Sequence, residues 1–256
     1  MIRKLNKSHI FSKATYFLFA ACIGLSTSAS AQAPNADALK LLKSSTDYVA
    51  SLQQFTVQSE STIEAVLASG QKIQFNNNAS MALMHPNKLI AKREGDIIDQ
   101  RMYYNGKTFT FFNPDANVYA TASVPATLDG MLDTVRNQFD IIAPASDLLY
   151  KDAYIRMTQN ATSGFIVGQS MVDGVLCNHI AFSSPGTDWQ LWIDAGAKPL
   201  PRKLVVTSTD VAGAPQFEVR LTKWKLSPNL TAADFEFTAP TGAQKIDFIA
   251  PTAPTN

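Results

Sequence analysis

Asp188-Trp189-Gln190-Leu191-Trp192-Ile193-Asp194, followed by Ala195-Gly196-Ala197-Lys198-Pro199-Leu200-Pro201-Arg202-Lys203-Leu204-Val205-Val206, is the stretch that decides the fold. It reads as a β-hairpin. Trp189, Leu191 and Ile193 share one face at period two, and Trp192 shares the other with Asp188, Gln190 and Asp194. Asp194 to Lys198 hold the Asp and Gly of a turn, with Pro199 and Pro201 delaying ladder pairing until the return strand begins. Tryptophans on opposite faces of one strand imply that both faces are covered, because so large an aromatic is costly to leave in water. Asp194 is expected to cap the turn, and Arg202 or Lys203 to serve as a cross-strand partner for Asp188 or Asp194.

Working outward, the same alternation continues on both sides. Downstream lies Gln216–Leu226 with Phe217, Val219 and Leu221 on one face, and then Phe235 and Phe237 as a short strand or apolar anchor. Upstream, Gly164–Met171 pairs with Val175–Phe182 across Asp173-Gly174. Nearer the start, alternating residues run from Phe55 to Leu67, turn at Ala68-Ser69-Gly70-Gln71, and return from Ile73 to Leu83. Strands of roughly twelve residues suit a strongly curved sheet or partial barrel. Shorter strands are expected at Lys88–Arg93, Gln100–Tyr104, Lys107–Phe112 and Val118–Ala122, with Asn105-Gly106 the strongest local hairpin signal. Without βαβ alternation or an internal repeat, about eleven strands are expected in an antiparallel sheet.

Residues Trp192-Ile193-Asp194, a short loop, Leu200-Pro201-Arg202-Lys203 and a β-branched strand resemble the signature hairpin of the LolA/LolB-like superfamily. More closely, the chain resembles a bacterial periplasmic family of unknown function within that superfamily. The matching segments are Tyr104–Lys107, Ala145–Tyr150, Val167-Gly168, Val172–Gly174, His179–Phe182, Asp188–Ile193 and Pro199–Lys203. The resemblance implies an α+β fold, mainly β: an incomplete antiparallel barrel with an N-terminal helix and a helical lid around an apolar cavity. It implies no assigned function.

Two helical stretches fit that picture. Asp37 to Leu52 places Leu39, Leu42, Thr46 and Val49 on one stripe, a packing helix for the sheet. Thr127 to Phe139 carries Leu128, Met131, Leu132 and Val135 at helical spacing, with Thr127 as its cap, and a shorter segment follows at Ser146–Tyr150. These pieces interrupt the sheet midway, where a cover over one open end belongs. A helix filling an ordinary core satisfies the same pattern; the resemblance favours the lid.

Residues 1–31 read as a secretory signal: basic Arg3, Lys4, Lys7 and Lys13, an apolar run from Ala14 to Leu25, and Ala29-Ser30-Ala31 before Gln32. The run is too short for a membrane span. A lipoprotein signal at Cys22 is the rival, disfavoured by Phe19 and by the apolar run continuing past Cys22. Cleavage after Ala31 leaves 18 basic and 21 acidic residues, which is no footprint for nucleic acid or an anionic membrane. It also leaves Cys177 as the single cysteine, a buried, unreactive thiol. One domain is expected over 32–249, then a Pro/Thr/Ala-rich, disordered tail over 250–256.

Catalytic patterns are mostly missing. There is no phosphate loop, paired-cysteine metal motif or His-Glu-x-x-His, and Gly168-Gln169-Ser170 lacks the second glycine of a nucleophile elbow. Cys177 and His179 share a strand face but would need a third ligand such as His85, so a hydrogen-bonded His179 is the expectation. No cofactor and no enzymatic activity are expected. What remains is apolar surface: Phe75, Met81, Phe109, Phe111, Met131, Leu132, Val135, Trp189 and Leu191 are the candidate lining of a cavity or lid. Methionines suit a pocket for acyl chains and suit an irregular core equally. The expected function is periplasmic binding of a hydrophobic ligand, a lipid or lipoprotein acyl chain; the alternative is an envelope interaction or sensor module that binds a partner protein.

Overall fold

Among the described residues twelve strands form one sheet whose two edges do not pair, so the barrel stays open. The structure, a computed structural model, describes residues 33–141 and 145–248. The expected signal segment and the expected tail lie outside them. After α1 (Ala36–Ser51) come β1 (Gln54–Val66), β2 (Lys72–Met84), β3 (Lys88–Gly95), β4 (Ile98–Tyr104), β5 (Thr108–Asn113) and β6 (Val118–Ser123). Then follow α2 (Leu128–Phe139), a 3-10 turn at Ser146–Leu149 and α3 (Ala153–Thr158). The second half holds β7 (Ser163–Val172), β8 (Val175–Ser184), β9 (Thr187–Asp194), β10 (Pro201–Ser208), β11 (Gln216–Lys225) and β12 (Gln244–Ile246).

The spatial order is β12-β6-β5-β4-β3-β2-β1-β11-β10-β9-β8-β7. Ladders are antiparallel except at one edge, where β12 pairs parallel to β6. That pair corrects the expectation of a purely antiparallel sheet. Three residues are too few for an alternation signal, and the segment reaches β6 only after Phe235 and Phe237 have anchored it to the outer face. Phe235 is fully buried in a 3-10 turn rather than in a strand, and Phe237 packs against Tyr103, Phe112 and Tyr119 at 5.2, 5.7 and 5.0 Å between ring centres.

Within the deciding hairpin, Trp189, Leu191 and Ile193 are buried on the inner face as their alternation requires. Trp189 stacks on Phe182 at 4.5 Å. Asp194 accepts from the Gly196 amide at 2.9 Å and pairs with Arg202 at 2.6 Å, so it both caps the turn and bridges the strands. Lys203 pairs instead with Glu218. Pairing resumes at Pro201, with a register shift before Lys203. Among the described residues no second layer covers the outer face there: Trp192 is half-buried, lying under His179 (3.8 Å, stacked) and Lys203 and donating to Ser170 Oγ at 3.0 Å. Side chains of the sheet itself shield it, which the sequence pattern does not separate from a packed layer.

α1 starts where Asn35 Oδ1 accepts from the Asp37 and Ala38 amides, satisfying otherwise orphaned donors. It buries Ala38 and Leu42 against Ile180, Leu191, Leu204 and Val219. α2 starts at Thr127, whose Oγ1 accepts from the Gly130 amide. It packs Leu128, Met131, Leu132 and Val135 over the β1–β5 half of the same inner face. α3 was not expected, because six residues span too little of a helix to show a period. Two apolar clusters thus share one curved sheet, one under α1 and one under α2. No helix among the described residues is long and apolar enough to cross a membrane.

Candidate functional site

Strand register sorts the inner face into rows. One reads Phe55, Leu83, Leu89, Tyr104, Phe109; the next reads Val57, Met81, Ala91, Met102, Phe111. The third reads Leu221, Ser59, Ala79, Arg93, Gln100, and the fourth Val219, Ser61, Asn77, Gly95. The first two rows are apolar and, Ala91 apart, large. In the third, Ser59 and Ala79 are small, so α2 lying above cannot be met by side chains from below.

The gap is a cavity of about 170 Å³. Its floor is Val57, Met81, Leu89, Ala91, Met102 and Phe109, its roof Met131, Leu132 and Val135 of α2 with Leu148 and Leu149, and its side Leu221 and Trp224. Ser59 and Ser146 are the serine side chains in the wall; Ser80, exposed and opposite Lys92, turns its side chain to the outer face. Trp224 reaches the inner face because β11 bulges: Lys223 has φ +49°, and the β1–β11 register shifts between Gln58 and Thr56. Leu221 and Trp224, three residues apart, therefore point the same way, and Trp224 packs on Phe55 at 5.2 Å.

The structure brings five of the nine candidate residues to this cavity: Met81, Phe109, Met131, Leu132 and Val135. Phe111 packs against the same cluster outside the wall, and Phe75 lies half-buried two rows beyond Ala79. Trp189 and Leu191 sit in the cluster under α1. Trp189 also bounds a second, more polar pocket with Arg136, Asp147, Arg156 and Val206. Sequence reasoning missed Trp224, hidden by the bulge. It also missed Ser59, Ala79 and Ala91, whose signal is small residues on the inward positions of adjacent strands.

α2 is tied down around the cavity rather than through it. Tyr104 OH donates to the Pro125 carbonyl at 2.8 Å, and burial pushes that phenol up to about 12. Arg156 donates to both Asp133 oxygens at 3.1 and 3.2 Å, and Tyr150 OH donates to Asp133 at 2.8 Å. Burial alone would raise the Asp133 carboxyl; the Tyr150 and Arg156 hydrogen bonds outweigh it and hold the group below its usual value. Arg156 also lies 3.9 Å over the Tyr150 ring, and Arg136 bonds Asp147 at 2.8 Å.

The other candidates for chemistry stay apart. Cys177 is fully buried, and burial raises its thiol. His179 bonds Gln190 at 3.0 Å and is held below its usual value, first by burial. No three His, Cys, Asp or Glu side chains come together as a metal set among the described residues.

An open curled sheet with helices on its inner face and an apolar cavity between them defines a mainly-β half-barrel. The chain belongs to the family described as predicted periplasmic protein (DUF2092), whose pattern matches residues 38–249. That membership makes it a periplasmic protein. No curated protein matches it in sequence. Among solved structures it is similar to an uncharacterised conserved protein from Thermus thermophilus, at 12% identity over 82% of this chain and 99% of that one, TM-score 0.49. It is also similar to LprF from Mycobacterium bovis, at 14% identity over 83% and 100%, TM-score 0.47. A LolA superfamily protein from Nitrosomonas europaea matches at 10% identity over 78% and 97%, TM-score 0.36. Likeness at that level is too low to carry a ligand or a partner from those proteins to this chain.

Proposed function

We propose that this protein binds a hydrophobic ligand, a lipid or lipoprotein acyl chain, in the cavity under α2 and performs no chemistry on it. The observation that carries the reading is the cavity itself, walled by aliphatic, methionine and aromatic side chains with two serines, Ser59 and Ser146, among its polar members. A cavity near 150 Å³ with such walls stays dry and takes a ligand of benzene size. At about 170 Å³, the space here accepts the end of an acyl chain as it stands, and α2 must move outward to admit more. Met81, Met102 and Met131 give walls that repack around chains of different shape.

The test is displacement of an apolar dye, N-phenylnaphthylamine, from the purified protein by dodecyl compounds. Saturable dye fluorescence and competitive displacement are expected; a protein that neither brightens the dye nor retains any dodecyl compound rejects the reading. A second reading, capture of a partner protein, is favoured by a different surface. The edge strand β7 carries no charged residue and exposes Phe165, Val167 and Met171. Photo-cross-linking from Val167 in the living periplasm would trap a partner if that reading holds, and only background if it does not.

A further inference from the structure

Six arginines lie among the described residues, and five have a carboxylate partner: Arg101, Arg136, Arg156, Arg202 and Arg220. Arg93 has neither an ion-pair nor a hydrogen-bond partner among the described residues. It is also the one in the inner-face rows beside the cavity. Its β3 position is two residues beyond Ala91 and directly across from Ala79, both of which line the cavity wall. Two residues along a strand put it about 7 Å from the cavity floor, within reach of a guanidinium on its flexible stem.

The surroundings are polar without being acidic. Ser59, Ser61, Asn77 and Gln100 share the inner face around Arg93 by register, while Lys92 and Glu94 alternate to the outer face. Asn77 is only 4% exposed, and its side-chain oxygen has no partner among the described residues. That amide lies over Gly95, where a Cβ would come within 2.5 Å of the oxygen. Asn77 Oδ1 is a buried acceptor that calls for a donor, and the half-buried Arg93 guanidinium on the same face, with no carboxylate partner, has N–H donors left over for an acceptor group. Burial lowers the Arg93 guanidinium from its usual value, with no carboxylate to offset it.

We propose that the ligand is an anionic amphiphile, with its tail in the cavity under α2 and its carboxylate or phosphate head group held by Arg93 on the polar shelf next to it. This rests on the cavity reading above and adds the head group to it. Arginine suits the task because its planar fork meets two oxygens of either oxyanion at once. Ser59, Ser61 and Gln100 supply further donors from adjacent strands.

The test uses the exported protein and three ligands with the same tail, each displacing N-phenylnaphthylamine: dodecanol, dodecanoate and dodecyl phosphate. The wild type should prefer at least one anion over the alcohol by roughly tenfold or more, the scale of a charge-assisted hydrogen bond. Which anion wins separates a free fatty-acid carboxylate from a phosphate head group. Arg93→Gln should lose that preference, and Arg93→Lys should keep part of it. Equal binding of all three by the wild type overturns the anchor while leaving the cavity in place, and that result needs no variant to fold. A preference that survives in a folded Arg93→Gln overturns it too. Failure of all three, dodecanol included, to displace or replace the dye removes the cavity reading and the anchor with it.

Discussion

Leu132→Glu separates a lid from an ordinary core helix. Leu132 is 8% exposed and lies in the cavity roof between Met131 and Val135. Removing a buried leucine forfeits about 1.5–3 kcal/mol of apolar burial. In a tightly packed core, an uncompensated carboxylate would then add about 3–5 kcal/mol, enough to unfold a domain of ordinary stability. Here the carboxylate meets about 170 Å³ of space, more than about ten times the roughly 10–15 Å³ that one water needs. Hydrated in place, it spares most of the charge penalty. The expected loss is therefore about 2–3 kcal/mol, with the protein still folded and its hydrophobic ligand gone. Urea melts of both proteins, paired with lipid extraction, make the measurement. A folded variant that retains its full lipid refutes the lid, and an unfolded one shows that the space is closed core.

Other expectations follow from the same contacts. Trp189→Ala should cost about 3–5 kcal/mol in a denaturant melt, since the ring is 7% exposed and stacked on Phe182. A loss below about 1 kcal/mol would place Trp189 in an open pocket instead. Asp133→Asn should destabilise by about 1 kcal/mol near neutral pH after allowance for solvent screening. Because the Asp133 carboxyl is held below its ordinary 3.8 in the folded state, its contribution is complete above that value and is lost as pH falls through the lower folded value. The wild type and Asp133→Asn should accordingly converge in stability under acid, and a gap that widens there would contradict the assignment. Intact-mass measurement of the exported protein should show a chain beginning at Gln32, and a diacylated Cys22 would overturn the cleavage site.

Much of the fold was legible because period two is a strong signal wherever one face is buried. Trp189, Leu191 and Ile193 point inward as read, the Asp173-Gly174 turn joins β7 to β8, and Thr127 caps α2. Alternation says which side of a strand is inside, but not which part of the inside. Trp189 and Leu191 share a face with Met81 and Phe109, yet they belong to the cluster under α1 because β9 lies several strands away in the sheet. The cavity was legible from its roof and from Met81 and Phe109 of its floor, but its size was not. Its volume comes from what Ser59, Ala79 and Ala91 lack, and a small residue in a strand carries no pattern of its own until its neighbours across the sheet are known. Trp224 was hidden for another reason: the bulge at Lys223 breaks the period that would have placed it.

Native mass spectrometry of the protein purified from its own periplasm tests the central claim most directly. A bound mass in the range of an acyl-chain lipid, present in the wild type and absent from folded Leu132→Glu, is the predicted result. A bare polypeptide mass, together with no dye or dodecyl compound retained by the same preparation, would contradict it.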